Sequence, residues 1–260
     1  MLMRFLKTIR KADYTFDFLL SLLFIIIYFE CTKEWKYAKS EDLANLKAYT
    51  PFQYRVLIPY LAFLIKSVIP NQSFFFIYQI ILLPIVFITS RMLRNYLMQF
   101  DFNSNSINLS ILVFFYLLFW NYPALGIWFY PYDLPAILFF LTGLYFIKKE
   151  KFIYFYPFFI LGTLNRETII IILLAYVLSF RSFGNVFKIS NIGIISLFIA
   201  TWLIIKYYLY IEFSSNPAEQ MGGNLFLNKT SENIQFLLGL LKLDKFYILR
   251  IFSFGGLWLF

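Results

Sequence analysis

The feature that most constrains this chain is the tetrapeptide Asn-Arg-Glu-Thr at residues 165–168, which interrupts a long apolar stretch. Residues 152–164 before it and 169–180 after it are almost wholly apolar, and no turn-forming residue stands at either junction. The polar residues themselves must therefore form the tip of a helical hairpin. About 30 residues run from Lys151 to Arg181, which gives each helix about 22 Å against about 30 Å of hydrocarbon. The sequence predicts a tip that lies short of the membrane surface.

Arg166 and Glu167 lie at this tip. Charged side chains at such a depth are tolerated where they face a protein cavity and find partners there. We therefore expect a wet pocket just below the outer surface. The alternative is an Arg166–Glu167 ion pair that only caps the two helices and snorkels to the interface.

The composition places the chain among polytopic membrane proteins. Of its 260 residues, 61% are hydrophobic and 14% are charged, and a soluble domain of this length could not bury so much apolar surface. We expect an all-α polytopic membrane protein with one transmembrane domain over residues 1–260. The net charge of +9 is spread over short loops, so it does not indicate nucleic-acid binding.

Two residue types limit the chemistry. The chain has no histidine, which excludes an imidazole general base, a histidine metal ligand and a Ser-His-Asp triad. Cys31 is the single cysteine, so no internal disulfide can form. Any acid–base or metal chemistry must therefore depend on carboxylates.

The N-terminal region predicts the orientation of the chain. Arg4, Lys7, Arg10 and Lys11 precede apolar residues 16–29, and no small-residue cleavage site follows, as in an uncleaved signal anchor. By the positive-inside rule the N-terminus is cytoplasmic and the first loop lies outside.

One short helix and one non-crossing segment are expected in the first outer loop. Ser40 is a suitable N-cap for an interfacial helix over residues 40–50. The next apolar segment, between Arg55 and Pro70, has only about 15 residues, too few to span comfortably. The positive charges of the later loops favour this non-crossing arrangement.

The remaining apolar runs complete the predicted topology. Residues 213–230 are typical of an outer loop, and Ser231 is suited to begin another interfacial helix. Residues 246–260 begin an eighth apolar segment that is incomplete, so we expect a short last helix or a fragment of a longer protein, and we favour the fragment. With residues 16–29, the other spans give seven crossings, at residues 73–90, 107–122, 132–147, 152–164, 168–180 and 191–211.

On this topology several polar groups converge on the outer face. Two arginines beside at least two carboxylates can clamp an anionic head group, and a neighbouring carboxylate can take a proton or hold a divalent cation. The apolar helices would then contact the tail of a lipid. The converging residues are Arg55, Tyr132, Asp133, Asn165, Arg166 and Glu167.

Several charged residues also have a simpler interpretation. Asp133 stands two residues before a proline and is suited to be the N-cap of its helix, instead of a general base or metal ligand. Arg55 could snorkel at the interface, and Lys206 is expected to do so. Glu41 and Asp42 could simply complement the first turn of their helix.

Three short segments carry a resemblance to a known family: Tyr-Arg-Val-Leu-Ile-Pro at residues 54–59, Tyr-Asp-Leu-Pro at residues 132–135 and Asn-Arg-Glu-Thr at residues 165–168. With a cytoplasmic N-terminus, a first outer loop with interfacial segments and a seven-span core, the chain resembles the GT-C superfamily of integral-membrane glycosyltransferases. The resemblance implies two interfacial helices in the first outer loop, which would correspond to residues 40–50 and 54–69. It is similar to uncharacterised bacterial members of this kind. The resemblance covers nearly the whole chain, its motifs are short, and family members carry further spans after the core.

The resemblance implies sugar transfer on the outer side of a bacterial inner membrane. The donor would be linked to a polyprenyl phosphate or diphosphate, often with a divalent metal such as Mg²⁺ or Mn²⁺. The base would be an acid near the first loop, where Glu30, Glu34, Glu41 and Asp42 are candidates.

The expected roles follow from this chemistry. Arg166 and Arg55 would neutralise the leaving phosphate, where charge develops in the transition state, and Glu167 would orient Arg166. The other candidates are Asp133, Glu41 and Asp42 for the base, Asp133 for the metal, and Asn165 and Tyr132 for substrate contact.

A transporter or lipid flippase without chemistry is the rival hypothesis, because buried charges and interrupted helices also suit transport. A transporter needs polar groups near mid-membrane or on both sides. Asp17 and the cytoplasmic loop charges, among them Arg91 and Arg94, are not expected to form a matching inner cluster. A polysaccharide polymerase of another membrane fold is the third hypothesis.

Overall fold

A computed structural model describes residues 2–50, 52–100, 102–121, 128–180 and 183–217. These parts of the chain are mostly helical, as the sequence predicts. The helices, in chain order, are α1 (Leu2–Cys31), α2 (Ser40–Ala44), α3 (Leu57–Val68), α4 (Phe74–Leu97), α5 (Ser104–Asn121), α6 (Asp133–Lys148), α7 (Tyr156–Asn165), α8 (Ile172–Leu178) and α9 (Ile189–Glu212). Short 3-10 turns lie at Phe52–Tyr54, Met98–Phe100, Phe152–Phe155, Glu167–Ile171 and Phe183–Phe187.

Within the described residues, four helical stretches are long and apolar enough to cross a membrane: Asp13–Cys31, Phe74–Phe100, Ser104–Asn121 and Ile189–Glu212. They support the prediction of a helical membrane protein. Helices α6, α7 and α8 have only 16, 10 and 7 residues. The count of seven to eight crossings and the interfacial position of α2 and α3 therefore stay predictions. The predicted helix after Ser231 and the apolar segment 246–260 lie outside the described residues.

Helix α4 is central to the bundle. It begins beside the segment that precedes α6, where Tyr78 packs on Phe129, and it ends beside the end of α6, where Gln99 and Lys148 line one pocket. Helices α4 and α6 therefore run in the same direction, as predicted for two inward spans. Side chains of α1, α4 and α5 form the main apolar core, among them Phe24, Tyr28, Ile77, Leu82 and Ile111.

A short parallel ribbon fixes the first loop to the start of α6. Strand β1 (Lys33–Glu34) pairs with strand β2 (Trp128–Phe129), and Phe129 is fully buried among aromatic side chains of α1 and α4. Further along the first loop, the carbonyl of Leu46 accepts a hydrogen bond from Asn216 Nδ2 at 3.1 Å. The first loop is therefore held both by β2 and by the residues after α9.

Helix α2 is one turn long and does not extend over the predicted residues 40–50. Leu46 adopts a left-handed φ of 61°, and the carbonyl of Asp42 accepts from the N–H five residues later at 2.8 Å, a pattern that ends helices. The predicted N-cap role of Ser40 is also wrong. Ser40 is the first helical residue, and its N–H donates to Glu34 Oε1 at 2.9 Å, so a carboxylate from β1 caps the helix.

The predicted hairpin at residues 165–168 is confirmed. Helix α7 ends at Asn165, Arg166 is extended with φ −160° and ψ 134°, and a 3-10 turn leads into α8. Phe152, before α7, stacks on Tyr176, near the end of α8, with ring centroids 4.2 Å apart. The two arms of the hairpin therefore run back along each other.

Candidate functional site

Five charged side chains meet where the hairpin tip contacts α6, α9 and the segment before α3. We call Arg55, Asp133, Arg166, Glu167 and Lys206 the tip cluster. Arg166 Nη1 lies 2.5 Å from Asp133 Oδ1, and Arg55 Nη2 lies 3.0 Å from Glu167 Oε1. Lys206 Nζ lies 3.4 Å from Glu167 Oε2. The structure thus brings together four of the predicted site residues and adds Lys206.

The ion pairs differ from the expected pairing of Arg166 with Glu167. Because the backbone is extended at Arg166, neighbouring side chains point in opposite directions. Arg166 reaches Asp133 at the start of α6, whereas Glu167 reaches Arg55 and Lys206 on the other side. Glu167 therefore orients Arg55, and the expectation that it orients Arg166 is corrected.

Asp133 is not the N-cap of its helix. It is the first residue of α6, and Tyr132 occupies the cap position without a side-chain cap bond. The carboxylate of Asp133 instead accepts the hydrogen bond from Arg166. The simpler interpretation of Asp133 is therefore wrong, and its charge is part of the tip cluster.

An aromatic column positions Arg55. Phe52 stacks on Tyr130 and Tyr130 stacks on Tyr132, with interplanar angles of 10° and 17°. The guanidinium carbon of Arg55 lies 4.5 Å from the centroid of the Tyr132 ring, a cation–π arrangement. The column and Glu167 together fix the guanidinium on two sides, so Arg55 does not snorkel freely.

Asn165 and Tyr132 hold the tip against its neighbours. Both are fully buried, and Asn165 Nδ2 donates to the carbonyl of Tyr132 at 2.8 Å. The N–H of Val56 donates to the carbonyl of Leu164 at 2.9 Å. These bonds join the end of α7 to the starts of α6 and α3, which gives both predicted substrate-contact residues a positioning role.

The electrostatic environment keeps Arg55 and Glu167 charged. Burial opposes the charge of Arg55, but the neighbouring Tyr132, Glu167 and Asp133 outweigh it and raise the pKa of the guanidinium. Burial likewise opposes ionisation of Glu167, but the hydrogen bond and charge of Arg55, with the charge of Lys206, lower the pKa of Glu167 to about 2. With three cations and two carboxylates, the tip cluster has one surplus positive charge.

A largely apolar cavity of about 470 Å³ extends from the tip cluster between α4, α5 and α6. Asp133 and Arg166 line one end of it, and Leu93 and Tyr96 near the end of α4 line the other. Along α6 the lining runs from Asp133 to Leu144, which corresponds to about 17 Å of helix. The arrangement joins an ion pair to an elongated apolar space.

Lys206 was expected to snorkel to the interface, and the structure corrects this. Its ammonium group turns towards Glu167, and Trp202, one helical turn earlier on α9, donates from Nε1 to the carbonyl of Glu167 at 3.0 Å. Residues four apart share one helix face, so the spacing of Trp202 and Lys206 is the sequence signal that identifies this face of α9.

The loop acids Glu41 and Asp42 lie on α2 and outside these ion pairs. Glu41 is exposed and Asp42 is half-buried, and within the described residues neither carboxylate forms a salt bridge. Helix α2 does pack near the site, because Leu43 and Tyr132 share one small apolar core. The structure therefore places these acids beside the tip cluster without joining them to it.

A divalent metal does not fit the residues of the tip cluster. Such ions are held by several oxygen ligands with negative charge, whereas Asp133 and Glu167 are each bound by a cation. The described part of the chain contains no group of three or more His, Cys, Asp or Glu side chains placed to hold a metal ion. The metal-ligand role predicted for Asp133 has no support from its surroundings.

A second charged cluster lies at the opposite end of the bundle, and we call it the α1–α4 cluster: Asp13, Asp17, Arg91, Arg94 and Asn108. Arg94 is fully buried and binds both oxygens of Asp17, at 2.6 and 2.9 Å. It also donates to Asn108 Oδ1 at 2.8 Å and lies 3.5 Å from Asp13. Arg91 binds Asp17 at 2.7 Å.

The α1–α4 cluster contradicts the expectation that Asp17 has no inner partners. Helix α4 continues to Leu97, so Arg91 and Arg94 belong to a helix that packs on α1 and not to a loop. Two arginines balance two aspartates, and the cluster is neutral.

Comparison with known proteins adds no relative to this description. No family model, no curated protein and no solved structure matches the chain. The residues and their geometry therefore carry the functional argument.

Proposed function

We propose that this protein is a membrane glycosyltransferase of the GT-C type. It would move a sugar from a polyprenyl-phosphate-linked donor to an acceptor on the outer face of a bacterial inner membrane, with its N-terminus in the cytoplasm. The observation that supports this most directly is the tip cluster, with its surplus positive charge, at one end of an elongated apolar cavity.

The cavity suits the lipid part of the donor. Its lining is mostly aliphatic and aromatic, and the charged side chains among the described lining residues are Asp133 and Arg166, at one end. An isoprenoid chain would pack against this apolar surface, and any part of the surface that is in contact with water would be buried with a gain of about 25 cal/mol per Å². The phosphate attached to it would then lie beside Arg166.

The proposed reaction moves one sugar. The acceptor hydroxyl attacks the anomeric carbon, the bond from that carbon to the phosphate oxygen breaks, and the lipid phosphate leaves with the bonding electrons. Arg166 stabilises the charge that grows on this phosphate. Arg166 lines the cavity beside Asp133, so its guanidinium is placed next to the proposed position of the phosphate.

Asp133 is the preferred acceptor of the hydroxyl proton. It lines the cavity, and Arg166 binds its Oδ1 atom, which leaves Oδ2 as the proton acceptor. Glu41 and Asp42 are the alternative bases, since α2 packs close to Tyr132. No step is assigned to a metal, because the surroundings of Asp133 are cationic.

The test is transfer by the purified protein in lipid nanodiscs, with a panel of radiolabelled polyprenyl-phosphate sugars. Arg166→Ala should abolish release of polyprenyl phosphate, and Arg166→Lys should restore part of it. Lys148→Ala is the matched control, because Lys148 contacts Phe100 far from the tip cluster. Near-normal transfer by folded Arg166→Ala would contradict the assignment.

A lipid flippase is the second candidate, and the α1–α4 cluster is the observation that favours it. Charged groups now occur at both ends of the bundle, as a transport path needs. However, the α1–α4 cluster is neutral and its central pair is fully buried, so it offers little charge to a passing head group. Scrambling of a fluorescent phospholipid in proteoliposomes, without any sugar transfer, would select this candidate.

A further inference from the structure

We propose that Lys206 sets the charge of the tip cluster and thereby controls how tightly this end of the cavity binds an anionic head group. This inference rests on the proposed function only in placing an anion beside Arg166. It assigns a role to α9, a helix that contributes no lining residue to the cavity among those described.

Lys206 lies within reach of the other charges of the tip cluster. Its side chain is 18% exposed and lies 3.4 Å from Glu167 Oε2, and its Nζ is 6.0 Å from the ring centroid of Tyr54. A half-buried ammonium group interacts with neighbouring charges more strongly than one in water, because screening is weaker. The positive charge of Lys206 therefore interacts with the other charged side chains of the tip cluster.

Lys206 is the unbalanced charge among the five residues of the tip cluster. Arg166 and Asp133 form one pair, and Arg55 and Glu167 form another. Without Lys206 these two pairs would sum to zero. With Lys206, which shares Glu167 with Arg55, the cluster carries one positive charge, so an incoming anion meets a net attraction.

Contacts other than the Lys206 ion pair hold α9 against the hairpin. Trp202 already binds the main chain of Glu167 at 3.0 Å, and α9 packs on α7 through Phe198, which is buried among Phe152, Phe155 and Phe159. These contacts hold α9 and the hairpin together without the ammonium group. Removing the charge of Lys206 should therefore leave the fold in place.

The experiment measures binding of two probes with the same chain, farnesyl phosphate and farnesol, to the full-length protein in detergent. Lys206→Gln should weaken farnesyl phosphate binding on the order of tenfold, as expected for loss of one nearby charge, and leave farnesol unchanged. Lys206→Arg should bind farnesyl phosphate like the wild type. Lys148→Gln is the matched control and should bind both probes normally.

A double variant tests whether net charge is the cause. Glu167→Gln combined with Lys206→Gln leaves Arg55, Arg166 and Asp133, which again carry one surplus positive charge. Farnesyl phosphate affinity should recover in this variant relative to Lys206→Gln alone. Failure to recover, in protein that elutes and melts like the wild type, would show that Lys206 acts through structure and would overturn the inference.

The outcomes also separate this inference from the proposed function. If wild-type protein binds farnesyl phosphate no better than farnesol, the anion site itself is absent and both proposals fail. If the wild type prefers farnesyl phosphate and Lys206→Gln keeps the same preference, only the role of Lys206 is refuted. If Lys206→Gln does not fold, Lys206→Arg provides the test. Failure of that variant to bind farnesyl phosphate would refute the proposed role of Lys206.

Discussion

The two charged clusters of this protein contain the same types of charged residue but differ in exposure and in net charge. In the α1–α4 cluster, Asp17 and the Arg94 side chain are both 0% exposed, and the charges cancel. In the tip cluster, the Glu167 side chain is 35% exposed, a cation is in excess, and a cavity adjoins it. A saturated, neutral, closed cluster can hold helices together, whereas an unbalanced, accessible one can bind a ligand.

The largest expected effect is on the α1–α4 cluster. Arg94→Ala leaves the carboxylate of Asp17 buried beside Arg91 alone and should cost about 3–5 kcal/mol of stability. Thermal unfolding of the detergent-solubilised protein measures the loss. The double variant Asp17→Leu with Arg94→Met should be more stable than Arg94→Ala, because it removes the fully buried carboxylate together with its fully buried partner and leaves only Arg91 and Asp13, which are partly exposed and opposite in charge.

The same substitution in the tip cluster should separate function from stability. Arg166→Ala should lower the melting temperature less than Arg94→Ala, because the side chains of Arg166 and Asp133 are 18% and 12% exposed whereas those of Arg94 and Asp17 are 0% exposed. Equal destabilisation by the two variants would remove the distinction between a structural and a binding cluster.

Arg55→Ala should come next in size. It removes one of two guanidinium groups and the partner of Glu167, so we expect farnesyl phosphate affinity to fall on the order of thirtyfold, or about 2 kcal/mol. Farnesol binding in the same titration should change little. A parallel loss for both probes would indicate that Arg55 supports the cavity instead of the anion.

Filling the cavity tests its apolar part alone. Ala136 lines the cavity, and Ala136→Phe should weaken binding of farnesyl phosphate and farnesol equally, on the order of tenfold. Ala200→Phe is the control, because Ala200 is exposed on α9. An effect on farnesyl phosphate only would mean that the chain does not occupy this cavity.

The smallest effect concerns pH. The pKa of Glu167 falls from 4.5 to about 2 on folding, so its stabilisation is present above pH 4.5 and is lost as the pH falls towards 2. The melting temperatures of the wild type and Glu167→Gln should therefore differ by a constant amount above about pH 5 and converge below it. Convergence already at pH 6 would contradict the tight pairing with Arg55.

The sequence predicts the parts of the site that depend on local pattern. An uninterrupted apolar run on each side of residues 165–168 leaves a hairpin as the compatible fold, and polar residues near the ends of apolar runs are expected to meet on one side. On that basis the sequence correctly predicts that four charged residues lie close together: Arg55, Asp133, Arg166 and Glu167.

Which charged residues pair with each other in the tip cluster depends on backbone geometry that the sequence pattern does not show. One extended residue at Arg166 sends adjacent charges to opposite neighbours, and no periodicity in a short turn indicates this. Lys206 joins from a helix that is 39 residues away in sequence from Glu167. Asp17 pairs with Arg94 because α4 extends beyond its apolar run. The end of a helix is the least certain part of a sequence-based prediction.

The attachment of Asn216 to the first loop has a consequence for biosynthesis. Its hydrogen bond to Leu46 joins residues 170 positions apart, so the loop gains this partner only after nearly all the described chain has emerged from the ribosome. At about 5–20 residues per second, the delay is roughly ten to thirty seconds. During that interval β2 and Tyr132 can already hold the start of the loop and α2, but the part near Leu46 lacks this bond, and a truncation before Asn216 would remove the bond permanently.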